Sequence, residues 1–141
     1  MEMSDYGALT FMVRRVWLTM RAAIGEELKA FGLTTSQYAT LVMAAARPGI
    51  SAADIARDVG STRQAANEML GLLEREGLLE RRPNPTDRRT HRIHLTESGG
   101  ERLAAARLAV ERREAEIETA FPPEQRRAVR DWLDRICEAC L

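Results

Sequence analysis

Short polar and cationic side chains gather directly after a glycine, between residues 61 and 67. They are Ser61, Thr62, Arg63, Gln64 and Asn67. Arg63 and Asn67 are four residues apart, so they share one face of a helix, with Gln64 beside them. Arginine hydrogen-bonds guanine through two donors, and glutamine or asparagine binds adenine in the same way. The cluster predicts a helix whose first turn contacts base edges in a DNA major groove, with Ser61 and Thr62 on phosphates. Ser61 is equally open to a role as the helix cap.

A second cationic group follows at a predicted turn, Pro83 to Asp87. Arg88 and Arg89 come directly after it. Arginine at a loop tip enters the minor groove, where the potential is negative, and this hypothesis is favoured over a merely solvated charge cluster. Asp87 is predicted to pair with a wing arginine and stiffen the turn, although an exposed pair contributes only about 0–1 kcal/mol.

The elements that must position these residues follow from apolar periodicity, capping residues and glycine or proline stops. A long apolar stripe from Leu9 to Leu28 predicts a first helix that packs on another helix, of this chain or of a second subunit. Ser61 to Gln64 fits a capping box, and Ala65, Met69, Leu72 and Leu73 are predicted to face the core. Two short strands form a hairpin. The predicted helices span about 8–30, 34–47, 51–59, 61–76, 96–120 and 123–140, and the predicted strands 78–82 and 91–95. The fold class is therefore mainly α with a small β-hairpin wing.

Length and composition are typical of a one-domain protein without a membrane-spanning segment. The 141 residues are of a size for one domain, and 21 basic residues balance 21 acidic ones. A net charge of zero counts mildly against nucleic-acid binding, but the basic residues concentrate between Arg81 and Arg92. There is no apolar run of about 18 residues, and the first ten residues lack signal-peptide features. We expect a cytoplasmic protein without membrane contact.

Other chemistry is weakly supported. His91 and His94 are three apart in a strand and face opposite ways, which disfavours a shared metal ion. Cys137 and Cys140 share a helical face. Two packed thiols are favoured over a redox switch, because the sequence offers no obvious cationic neighbour to stabilise a reactive thiolate. Phosphate loops, zinc-protease motifs and serine elbows do not occur. The sequence predicts no enzyme, no metal and no cofactor.

Three motifs, in this order, resemble the MarR family of bacterial transcriptional regulators. The segment Leu73-Glu74-Arg75-Glu76-Gly77-Leu78-Leu79-Glu80-Arg81 is similar to the family's L-E-x-x-G-L-[VI]-x-R. The segment from Pro85 to Arg89 resembles its D-x-R wing signature, and Leu95-Thr96-Glu97-Ser98-Gly99 its L-T-x-x-G helix entry. Together they are specific, and the resemblance covers nearly the whole chain.

The resemblance implies a homodimer that binds a palindromic operator in double-stranded DNA, most often as a repressor. It implies one MarR-like domain over 1–141, with a helical dimerisation region at 1–33 and 97–141. The winged helix-turn-helix lobe would span 34–96. Arg89 matches the arginine that enters the minor groove and Asp87 its acidic partner. The peroxide-sensing branch uses a cysteine near the N-terminus, which this chain lacks.

Many members of the family release DNA when a small aromatic or phenolic ligand binds between the dimer helices and the DNA-binding lobe. The apolar side chains that could line such a pocket here could equally be core residues. The candidates are Met12, Val16, Trp17, Met20, Tyr38, Val42 and Met43. The alternative function from another class is a winged helix that binds proteins and not DNA.

Overall fold

A computed structural model describes residues 3–141. After one helical turn, Met3–Tyr6, six helices follow. They are α1 (Leu9–Leu28), α2 (Thr35–Ala46), α3 (Ala52–Asp58), α4 (Arg63–Arg75), α5 (Glu97–Glu118) and α6 (Pro123–Ala139). A 3-10 turn, Lys29–Phe31, extends α1. Three antiparallel strands, β1 (Ile50–Ser51), β2 (Leu79–Asn84) and β3 (Asp87–Leu95), pair in the order β1-β3-β2. The predicted fold class is confirmed. No helix in this range is long and apolar enough to cross a membrane.

The chain divides into two compact units, Met1–Val110 and Glu111–Leu141. The core of the first unit is built from aliphatic side chains of α1 to α5 and all three strands. Its largest fully buried members are Leu28, Leu41, Ile55, Leu70, Leu73, Leu78 and Ile93. Burial of this apolar surface holds the helix-turn-helix and the hairpin against each other.

Side-chain caps fix where the helices of the first unit begin. Thr34 and Gln37 form the predicted capping box at α2, and Ser51 accepts from the Asp54 amide at α3. The prediction for α4 is wrong by one residue. Thr62 is the cap, because its hydroxyl accepts from the Ala65 amide at 3.1 Å, whereas the Ser61 hydroxyl donates to the Thr62 carbonyl. Gly60, at φ 66°, makes the turn before it.

The buried face of α4 also differs from the predicted one. Ala66, Leu70 and Leu73 are buried, Met69 is half-buried, and Ala65 and Leu72 are exposed. The buried stripe is therefore displaced by about one residue from the predicted one, and Leu73 alone of the four predicted residues is fully buried.

The β2–β3 hairpin, called the wing below, is longer than predicted. Its strands reach Asn84 and begin again at Asp87, with an irregularity at Pro83 and Asn84. The turn is therefore only Pro85 and Thr86, and Arg88 and Arg89 belong to β3 and not to a loop. β1 was not predicted, since two residues are too short for a periodic signal.

The second unit contains the end of α5 and all of α6. Pro123 stands in the first turn of α6, where its missing N–H is not needed. The Arg126 guanidinium donates to the carbonyls of Glu118 and Phe121 at 3.0 and 2.8 Å, and Arg130 pairs with Glu118. These contacts fix the turn between the two helices.

Candidate nucleic-acid interface

The first turns of α4 present polar side chains to solvent. Arg63, Gln64 and Asn67 are all exposed, and with Glu68 they line an open depression. Glu68 was not among the predicted site residues, although its carboxylate is an acceptor suited to the amino group of cytosine. Ser61 and Thr62 are exposed beside them, with hydroxyls already engaged in the helix start. The surface offers donors and acceptors of the kind that base edges and phosphates require.

Arg81 connects this helix to the wing, a role that the sequence analysis missed. Its Nη2 donates to the Asn67 carbonyl at 3.1 Å, and its Nε lies 4.0 Å from the Glu74 carboxylate. The Nε is buried without a hydrogen-bond partner among the described residues, so it depends on Glu74 for compensation. The strand period offered a signal, because Leu79 and Arg81 share the inward face of β2.

The tip of the wing is held by side-chain to backbone hydrogen bonds. The Asn84 carbonyl oxygen accepts from the Thr86 amide and hydroxyl, and its amide group donates to the Thr90 hydroxyl at 3.0 Å. The Asp87 carboxylate accepts from the Arg89 amide at 3.0 Å and lies 3.6 Å from Arg89 Nε. The Arg89 side chain is 93% exposed. A rigid turn thus presents an exposed guanidinium, which is the geometry that minor-groove entry requires.

The seven pocket candidates fall into two groups. Met12, Val16, Trp17 and Met20 are exposed on α1, whereas Tyr38, Val42 and Met43 are half-buried on α2 against the core. The α1 group belongs to a larger exposed stripe that begins at Leu9. Within the first unit, the seven candidates therefore do not surround one enclosed pocket.

The other residues singled out lie on β3 and α6. His91 is exposed and His94 half-buried on β3, while Cys137 and Cys140 are both exposed. The prediction of two packed thiols is therefore wrong for the chain by itself, because α6 leaves that face uncovered. Within residues 3–141, no group of three or more metal-ligating side chains comes together.

Comparison with known proteins agrees with this geometry. The MarR family model matches residues 31–90. The uncharacterized HTH-type transcriptional regulator YdcH of Bacillus subtilis is 30% identical over 119 residues, which cover 82% of this chain and 76% of that protein. Among solved structures, the transcriptional repressor CouR bound to a 23-mer DNA duplex matches with a TM-score of 0.86. It is 29% identical and the match covers 97% of this chain and 98% of that one.

A third similar protein is the Mycobacterium tuberculosis MarR family protein Rv2887, in complex with salicylic acid. Its structure matches with a TM-score of 0.79 at 27% identity, covering 94% of this chain and 98% of that one. The fold and the polar face of α4 define a DNA-binding protein of the winged helix-turn-helix class. The chain belongs to the MarR family of transcriptional regulators. Members of this family are DNA-binding regulators and not enzymes.

Proposed function

We propose that the chain is a cytoplasmic homodimeric repressor that binds a palindromic operator and releases it when a small aromatic acid binds. One observation carries the DNA-binding part. The exposed first turn of α4 is joined by the Arg81–Asn67 hydrogen bond to a wing that ends in the exposed Arg89. A major-groove element and a minor-groove element are thereby held in one rigid lobe. We assign to Arg63, Gln64 and Asn67 the contacts with base edges in the major groove.

The homodimer is supported by apolar faces that each unit leaves uncovered. On α1, Val16 and Trp17 are 56% and 59% exposed, and on α6 Val129 and Trp132 are 54% and 46% exposed. Large apolar side chains that are exposed together on one helix mark association surfaces. We assign 1–33 and 97–141 to the dimerisation region and 34–96 to the DNA-binding lobe. In a two-fold dimer the α4 helices would enter successive major grooves about 34–36 Å apart.

The ligand-responsive part is supported by the relatives. Rv2887 has been crystallised with salicylic acid, a small phenolic acid. In this chain, the exposed face of α1 and the half-buried Tyr38, Val42 and Met43 would line a pocket completed on dimerisation. A ligand there lowers DNA affinity only by as much as it prefers the DNA-free arrangement of the dimer.

The proposal is tested by fluorescence anisotropy with duplexes from the DNA upstream of its own gene, at two salt concentrations. We expect selective binding that weakens with salt, because phosphate contacts release counterions. Salicylate is then added to the protein–operator complex, and we expect it to release the protein from the DNA. Sequence-blind, weak binding to every upstream fragment would contradict the operator assignment and favour the protein-binding alternative, which the comparisons do not favour.

A further inference from the structure

The outer face of the wing carries charge that the proposed contacts do not use. In the β2–β3 register, Leu79 pairs with Leu95 and Arg81 with Ile93, and these residues face the core or α4. The residues that alternate with them lie on the opposite, outer face. They are Glu80, Arg82, Arg92 and His94.

Two arginines of this face stand directly opposite each other. Arg82 pairs with Arg92 across the strands, an arrangement that is destabilising by itself. The Glu80 carboxylate accepts from Arg82 Nε at 3.2 Å and so compensates one of the two charges. Arg92 forms no ion pair with any residue in the described part of the chain. The face therefore keeps an uncompensated guanidinium.

Gly49 brings Arg92 and His94 together. It precedes β1 at φ 87°, and its amide donates to the Ile93 carbonyl at 2.9 Å. A β-carbon at Gly49 would lie 3.7 Å from Arg92 Cδ and 3.8 Å from the His94 ring. Both side chains thus reach the same point above the glycine. An arginine and a histidine side chain thus lie side by side on this face, and their N–H groups can donate to an anion.

We propose that this outer face binds the phosphate backbone of duplex DNA beyond the segment that α4 contacts. The inference rests on the proposed function. Because Arg81 on the inner face contacts α4, the outer face is turned away from α4. In the proposed complex, DNA that continues past the wing would lie on that side. Arg88 and Arg89 lie near the tip of the same hairpin and are cationic as well. Such contacts add affinity without sequence preference.

The test compares two duplexes: the operator alone, and the operator extended at each end by about ten base pairs, roughly one helical turn. We expect the wild-type protein to bind the longer duplex more tightly. Arg92→Gln should weaken binding to the longer duplex about tenfold, since one phosphate contact per subunit is lost. The slope of log affinity against log salt concentration should become shallower by about two per dimer. Its affinity for the short duplex should remain at the wild-type value.

Arg75→Gln is the matched control, because Arg75 is exposed at the far end of α4, outside the assigned dimerisation region, and its removal changes the net charge equally. It should bind both duplexes as the wild type does. The proposal is overturned if the wild type gains nothing from the longer duplex, or if Arg92→Gln weakens both duplexes equally. Binding of neither duplex by the wild type would instead overturn the proposed function. Thermal unfolding of each variant checks the fold.

Discussion

At the scale of single residues, Arg63 carries the strongest expectation for sequence selectivity. It lies in the first turn of α4, exposed and without an ion pair among the described residues. Arg63→Ala should weaken operator binding by about 1–3 kcal/mol and relax selectivity at one base pair, because a bidentate contact is lost. Anisotropy against single-base operator variants measures both effects. Arg75→Ala, at the other end of the same helix, should bind like the wild type. Retained selectivity in Arg63→Ala would contradict the assignment.

Asp87 should act by positioning Arg89. Its carboxylate accepts from the Arg89 amide, which fixes the backbone at the wing tip. Asp87→Ala should therefore lower DNA affinity, whereas Asp87→Asn should largely restore it, since the amide oxygen still accepts that bond. The two variants differ from Arg89→Ala, which removes the inserted side chain itself and should lower the salt slope as well. Equal losses for Asp87→Ala and Asp87→Asn would show that the carboxylate charge matters and not the hydrogen bond.

At the scale of elements, the junction between α4, the wing and α5 is built by Thr96 and Gly99. The Thr96 hydroxyl donates to the Gly77 carbonyl at 2.6 Å and accepts from the Gly99 amide at 2.9 Å. The Thr96 amide donates to the Leu78 carbonyl at 3.1 Å. Gly99 is buried, and a β-carbon there would overlap the Leu78 carbonyl oxygen.

Gly99→Ala should therefore lower the free energy of unfolding by about 2 kcal/mol or more, since backbone and not a flexible side chain must move. Gly100→Ala is the matched control, because its β-carbon would lie 3.8 Å from the nearest atom, Leu95 Cδ2. That variant should be as stable as the wild type or slightly more stable. Urea denaturation of both proteins provides the comparison. Equal stabilities would mean that the junction relaxes freely.

The order and type of the elements were predictable, because caps such as Thr34 and stops such as Gly60 and Gly77 leave local signals. The positive φ angles of these two glycines agree with that interpretation. The buried face of α4 was mispredicted, since Ala65 and Ala66 are alike in sequence and only tertiary packing buries the second. Arg81 was missed as a connector for a similar reason. Its partner is the backbone carbonyl of Asn67, and because every residue has a backbone carbonyl, the sequence does not mark this acceptor.

At the scale of the whole molecule, the uncovered tryptophans of both units predict dimerisation. Trp17→Glu and Trp132→Glu should each shift the protein toward monomers, because a charge in an apolar interface is costly to bury. Light scattering coupled to size-exclusion chromatography measures the mass. Operator affinity should fall as the dimer dissociates, because a monomer cannot bind both half-sites at once.

Arg14→Glu is the control for the first of these variants. Arg14 is also exposed on α1, but it lies off the apolar stripe. It should leave the protein dimeric. If both tryptophan variants keep the mass of the wild type, the uncovered faces of α1 and α6 are not the dimer interface.

The Thr96 junction makes α4, the wing and the start of α5 mechanically one part. If this whole part rotates about the position of Gly77, its Arg63 end lies one length of α4 away, about 20 Å at 1.5 Å per residue. A tilt of about 5° there displaces the Arg63 end by about 2 Å, more than a hydrogen bond tolerates. An effector need not deform the reading surface to dislodge it. Rotation of the whole part through a small angle would be sufficient, because the Thr96 hydrogen bonds to Gly77 and Gly99 join α4, the wing and the start of α5.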